Sequence, residues 1–163
     1  MEPRAGVYGY YDASHADDID TKRSTIGYLF FFEGCVLVWS SKLHTYITTS
    51  TNHSEYCAAA KAARMAKFLE TIFIAIGQRA AVRPIVQRQP WRHRHELQPC
   101  SPLCNRHVDL ADHYAREQVE RQTITVSYVK TDAMIADIFT KALSPAKFTK
   151  FSEELVSKTD FNA

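Results

Sequence analysis

From Ser50 to Ile76 the chain runs without a glycine or a proline, and six alanines fall between Ala58 and Ala66. This is the most restrictive feature of the sequence. An uninterrupted stretch of that length and composition predicts one long helix. Its small side chains let a helix lie close to a sheet, so the rest of the chain has to supply strands. Ser50, Thr51 and Asn52 are N-cap candidates, because their side-chain oxygens can accept the free N–H groups of a first turn. Gly77 is placed to end the helix as a C′ residue.

The strands are legible on the N-terminal side. Val7 to Tyr11 alternates loosely and is rich in Tyr and Val. Thr25 to Phe32 carries aromatic and β-branched residues, Glu33-Gly34 is a turn signal, and Cys35 to Ser40 follows, so this pair predicts a hairpin. The run Val36-Leu37-Val38-Trp39 is apolar throughout, as expected of a strand covered on both faces. Trp39 and the Phe30-Phe31-Phe32 run are read as core and sheet-face residues, and Ala13 to Ile26 as a polar loop. Beyond residue 107 the pattern predicts a helix from Val108 to Gln122 and an alternating strand from Thr123 to Val129. It then predicts a helix from Ala133 to Ala142 and, after the breaker Pro145, an amphipathic helix from Ala146 to Lys158. With 163 residues, 45% of them hydrophobic and 23% charged, one domain with a real core is expected, the last helix (143–163) forming an extension. No apolar run is long enough to span a bilayer and the N-terminus lacks a signal peptide's regions, so an intracellular, unsecreted setting is expected.

The net charge of +2 conceals a break in composition. Residues 78 to 107 carry six of the eleven arginines, no lysine and a single acid, Glu96, and so are net +5, leaving the rest of the chain at −3. The same window holds four of the six prolines and two of the four cysteines. Apart from the short Pro84-Ile85-Val86 stretch it has neither helical nor strand periodicity, and residues 78–105 are expected to be irregular.

Three acids occupy positions useful to phosphate chemistry: Asp12 at the end of the first strand, Glu55 in the first turn of the long helix and Asp137 in a short helix after the last strand. Singly, each reads as a solvated carboxylate or a helix-dipole partner. Their surroundings say more. Gly9-Tyr10-Tyr11-Asp12-Ala13-Ser14-His15-Ala16, Lys22-Arg23-Ser24-Thr25-Ile26-Gly27-Tyr28, Trp39-Ser40-Ser41-Lys42, Ser54-Glu55-Tyr56-Cys57-Ala58-Ala59, Arg106-His107-Val108-Asp109, and Tyr128-Val129-Lys130-Thr131 with Ala136-Asp137-Ile138-Phe139-Thr140-Lys141 are six blocks in one order. Together they resemble the ribonuclease H domain of copia-type retrotransposon Pol polyproteins over residues 7 to about 77 and 106 to about 155. The resemblance implies an α/β fold: a mixed sheet with three antiparallel strands first and helices on both faces. It implies hydrolysis of RNA in RNA–DNA hybrids with two Mg²⁺ ions, hard cations that take carboxylate and phosphate oxygens. Carried over by position, Asp12 would bridge both ions, and Glu55 and Asp137 would each support one. Arg23, Lys42 and Lys141 become candidates for nucleic-acid contact. The implied partners are an RNA–DNA hybrid or other nucleic acid and the reverse transcriptase portion of the same polyprotein, with no membrane.

The family pattern has a fourth acid, in an Asp-Asn pair that ends the strand after the long helix. No Asp stands between Arg79 and His107, and Arg88 occupies the position. Codons for Arg88 to Pro99 can be chosen so that a reading one nucleotide later gives Asp-Asn-His-Gly-Ala-Ile-Ala-Met-Ser-Tyr-Asn-Pro, which resembles the missing block. The visible frame then resumes with Arg106-His107-Val108-Asp109-Leu110. A one-nucleotide frame displacement, entering near Val86 or Gln87 and undone near Arg106, accounts for the break. As written, a cation replaces an anion beside divalent metals, and a unit charge pair about 4 Å apart is worth roughly 4 kcal/mol at an effective dielectric near 20. Pro90, Pro99 and Pro102 also disfavour the helix that should follow. The expected activity is therefore degenerate, and the alternative is a non-catalytic remnant that binds nucleic acid. His93, His95, Cys100, Cys104 and His107 invite a zinc reading, but the Cys spacing is not that of a ribbon and the frame explains these residues, so no zinc is expected. Transcript sequence across codons 78 to 107 is expected to spell the shifted block in the next frame; codons that cannot yield it refute the displacement.

Overall fold

In the computed structural model, residues 6–78, 82–87, 114–115 and 117–156 are described. Strands β1 (Val7–Ser14), β2 (Thr25–Phe32) and β3 (Cys35–Leu43) form an antiparallel meander, and helix α1 (Thr51–Ala75) follows. Strand β4 (Val82–Gln87) then pairs parallel to β1, and β5 (Val126–Tyr128) parallel to β4, giving the sheet order β3-β2-β1-β4-β5. Two 3₁₀ turns (Thr131–Ala133 and Ile135–Phe139) lead into helix α2 (Pro145–Leu155).

Side chains of β1 alternate between two cores. Val7, Tyr11 and Ala13 join the alanine face of α1, while Tyr8 and Tyr10 join Met134, Ile135 and Phe151 on the other side. The six alanines from Ala58 to Ala66 are all buried, as a close helix–sheet approach requires. Ser50 caps α1 by accepting the His53 N–H at 3.1 Å. The helix closes in a Schellman motif: Gly77 has φ +75°, its N–H donates to the Ile74 carbonyl at 3.0 Å, and Gln78 N–H donates to the Phe73 carbonyl at 2.8 Å.

Several expectations are corrected. β1 runs on to Ser14, so Asp12 lies inside the strand, and β3 extends to Leu43. β3 is the sheet edge and is not covered on both faces: Trp39 is 62% exposed and Leu37 is also exposed. The segment expected to be irregular contributes the strand Val82–Gln87. Its register against β1 slips between Val82 and Ile85, across Pro84, which has no N–H to give to a ladder. Strand β5 is only three residues long and exposed, because it too is an edge. The helix expected over Ala133 to Ala142 is instead two 3₁₀ turns, broken where Met134 is pulled into the core with non-helical φ −83° and ψ 85°. Pro145 begins α2, where its fixed φ suits the first helical position. Of the helix expected from Val108 to Gln122, residues 114–115 and 117–120 are helical and the earlier part lies outside the described residues, as do residues 88–113.

Gly27 joins the two sides of the molecule. It pairs with Asp12, and a Cβ at its position would come within 2.7 Å of Thr140 Cγ2 and 2.8 Å of Phe139 Cβ. The second 3₁₀ turn therefore rests on bare backbone, and Ser41 Oγ holds it by donating to the Phe139 carbonyl at 2.6 Å. Gly27→Ala is expected to cost about 1–3 kcal/mol through overpacking, read as a lower midpoint in urea with an unchanged slope; an unchanged midpoint would show that the turn yields freely.

Candidate carboxylate site

Asp12 lies on the side of β1 that faces the second 3₁₀ turn, and it is fully buried. Its Oδ2 accepts a hydrogen bond from Thr140 Oγ1 and another from Lys141 Nζ at 2.7 Å. Lys141 also donates to Asp137 Oδ1 at 3.2 Å, and Lys147 from the first turns of α2 donates to Asp137 Oδ2 at 2.7 Å. Asp137 is 1% exposed. Two buried carboxylates and two part-buried ammonium groups thus form one charge-balanced cluster.

The arrangement follows from local sequence. Asp137, Thr140 and Lys141 are three and four residues apart, so one tight turn aims all three at the sheet. The gap above Gly27 admits Thr140. Burial is the main effect that raises the Asp12 carboxyl above the usual aspartate range; the Lys141 charge and the hydrogen bonds from Lys141 and Thr140 oppose it, and the neighbouring Asp137 adds to it.

Glu55 is placed differently. It lies in the second turn of α1, is 7% exposed, and acts on Tyr11, whose hydroxyl is held well above its usual range by burial first and by the Glu55 carboxylate second. Tyr11 belongs to the α1 side of β1, and Asp12 to the other. The structure therefore brings Asp12 and Asp137 together, while among the described residues no three His, Cys, Asp or Glu side chains gather as a metal-binding group.

The cluster partly fits a divalent cation. Asp12 Oδ1 is buried and has no hydrogen-bond partner among the described residues, where its desolvation is left uncompensated. Carboxylate oxygens are the donors that a hard cation takes. Lys141 and Lys147 now supply the positive charge there.

Lys141 is thus an ion-pair partner of both acids. Lys42 lies on edge strand β3, and Arg23 in the loop before β2, where its carbonyl accepts the Asp18 N–H at 3.2 Å. Arg88, His93, His95, Cys100, Cys104 and His107 lie outside the described residues. Sequence reasoning missed Thr140 and Lys147. Thr140 carried a signal, three residues from Asp137; Lys147 arrives from a separate helix and carried none.

No family model matches the chain. It is 30% identical over 148 residues to the retrovirus-related Pol polyprotein from transposon TNT 1-94 of Nicotiana tabacum, a match covering 91% of this chain and 11% of that protein. It is 26% identical over 150 residues to the retrovirus-related Pol polyprotein from transposon RE2 of Arabidopsis thaliana, covering 91% of this chain and 10% of that protein. The chain therefore spans about a tenth of the length of these relatives. Among solved structures it is similar to LC11-RNase H1, isolated from compost by a metagenomic approach, with a TM-score of 0.57, 17% identity, and coverage of 84% of this chain and 94% of that one. The homologues are copia-type retrotransposon Pol polyproteins and the fold is ribonuclease H-like, and the chain fits a ribonuclease H domain of such a polyprotein.

Proposed function

We propose that the chain is a degenerate ribonuclease H domain, descended from a Mg²⁺-dependent hydrolase of RNA in RNA–DNA hybrids, and that this polypeptide cleaves such hybrids weakly or not at all. The observation that carries the reading is the pairing of Asp12 with Asp137 across the sheet and the second 3₁₀ turn, with Lys141 and Lys147 neutralising both. Two acids that the family would use are in one place, which supports the descent. Arg88 stands where the family has an acid, which supports the loss.

When bound, divalent metal supplies electrostatic stabilisation to the attacking and leaving oxygens of phosphodiester hydrolysis. Asp12 and Asp137 are the residues that would hold it. Thr140 fixes the Asp12 carboxylate by its hydrogen bond, and the backbone above Gly27 fixes Thr140. Lys141 and Lys147 compete with any cation for the same carboxylate oxygens. The implied setting is intracellular, with a reverse transcriptase portion of the same polyprotein as the natural partner.

In a hybrid-cleavage assay with Mg²⁺, the chain is expected to show little or no product; turnover comparable to an intact homologue would refute the loss. Calorimetric titration with Mg²⁺ is expected to show weak binding that Asp12→Asn abolishes and that Lys147→Met strengthens several-fold. Binding that ignores both substitutions would move the cation elsewhere. The second reading is a non-catalytic domain that retains nucleic-acid affinity, and the charge balance of the cluster favours it: hybrid bound without cleavage is its signature.

A further inference from the structure

The opposite face of the sheet carries its own concentration of charge. Gly27 and Ser41 face Phe139 and Thr140 on the carboxylate side. Their neighbours Ile26 and Tyr28 of β2 pair with Lys42 and Ser40 of β3, and by strand alternation these look the other way, towards α1. Along α1, Lys61, Arg64 and Phe68 fall three and four residues apart and so share one stripe. An open groove of about 380 Å³ lies between these residues, lined by Lys42, Lys61 and Arg64 together with Tyr28 and Phe68.

Three cations converge there, and the described lining contains no carboxylate. The Lys61 ammonium is held below its usual range, mainly by burial and further by the Lys42 and Arg64 charges, against an opposing influence from Cys57. Arg64 lies over the Tyr114 ring, 5.4 Å from its centroid, which orients the guanidinium and leaves its charge intact. Phe68 is 57% exposed at the rim. Like charges held together with no counter-charge in the described lining favour a polyanion. An exposed aromatic ring beside them distinguishes a nucleic-acid strand from an acidic peptide, because each base offers a face on which the ring can stack while the phosphates meet the cations.

We propose that this groove binds single-stranded nucleic acid, with Lys42, Lys61 and Arg64 on its phosphates and Phe68 against a base, on the face of the sheet opposite Asp12 and Asp137. The inference rests on the nucleic-acid reading of the domain but not on its chemistry. The domain then has two separate nucleic-acid faces, and the groove can hold a strand even if the carboxylate cluster never cleaves one.

The test is fluorescence anisotropy of a labelled twelve-nucleotide oligothymidylate titrated with the full chain in EDTA, from 50 to 300 mM KCl. A single strand loses about 0.7 in the slope of log affinity against log salt for each phosphate contact removed. The combined Lys42→Gln, Lys61→Gln and Arg64→Gln variant is therefore expected to lower that slope by about 2. Phe68→Ala is expected to weaken binding about tenfold with the slope unchanged. If the combined variant does not melt cooperatively, Lys42→Gln alone, at an exposed edge-strand position, is expected to lower the slope by about 0.7. No binding by the parent chain, an unchanged slope in the cation variants, or equally strong competition by polyglutamate would overturn the proposal, the last by assigning the groove to acidic protein. Cleavage plays no part in this readout, so failure of the hybrid assay and failure of the groove are separate results.

Discussion

A carboxylate with no exposure is tolerated inside a sheet only when something nearby carries the opposite charge. Asp12 meets that condition through Lys141, and much of the architecture follows from it. The ammonium must reach a central strand from a turn more than a hundred residues later in sequence, so the turn must lie against β2, and β2 must leave space for it at Gly27. Breaking a buried pair of this kind by removing one partner typically costs about 3–5 kcal/mol, since the survivor is stranded away from water. The cluster is thus part of what holds the second layer to the sheet, whatever chemistry it retains.

That dual role bears on the proposed loss of activity. A site emptied of catalytic duty usually has little to keep its buried acids in place. Here Asp12 and Asp137 are tied to two lysines and a threonine, and the ties run between the meander, the second 3₁₀ turn and α2. Structural demand can preserve these acids after a catalytic partner is gone.

The first half of the fold was legible because its signals are local. The limits of β2, the turn at Glu33-Gly34 and the long alanine-bearing helix follow from propensity, turn chemistry and breakers within a few residues. What escaped depends on partners. The apolar run Val36 to Trp39 looks like a buried strand, yet sheet order puts it at an edge. Val82–Gln87 becomes a strand through β1 and β5, in spite of Pro84. The segment Ala133 to Ala142 has a helical pattern, but burying Met134 breaks it into two turns. For the site, the blocks around Asp12, Glu55 and Asp137 identified the acids, but spacing alone could not show which of them meet. That depends on which face of β1 each one reaches.

The parallel pairing of β4 with β1 joins residues some seventy-five positions apart, from Val7 to Val82, whereas β1, β2 and β3 are linked by short connections. Closing so long a loop costs entropy before any contact rewards it, so by contact order the meander and α1 are expected to form ahead of the β1–β4 pairing. The compositional break begins within the segment that carries this late strand. That strand carries the long connection, whereas the meander and α1, which hold Asp12 and most of the cationic groove, are joined by short ones.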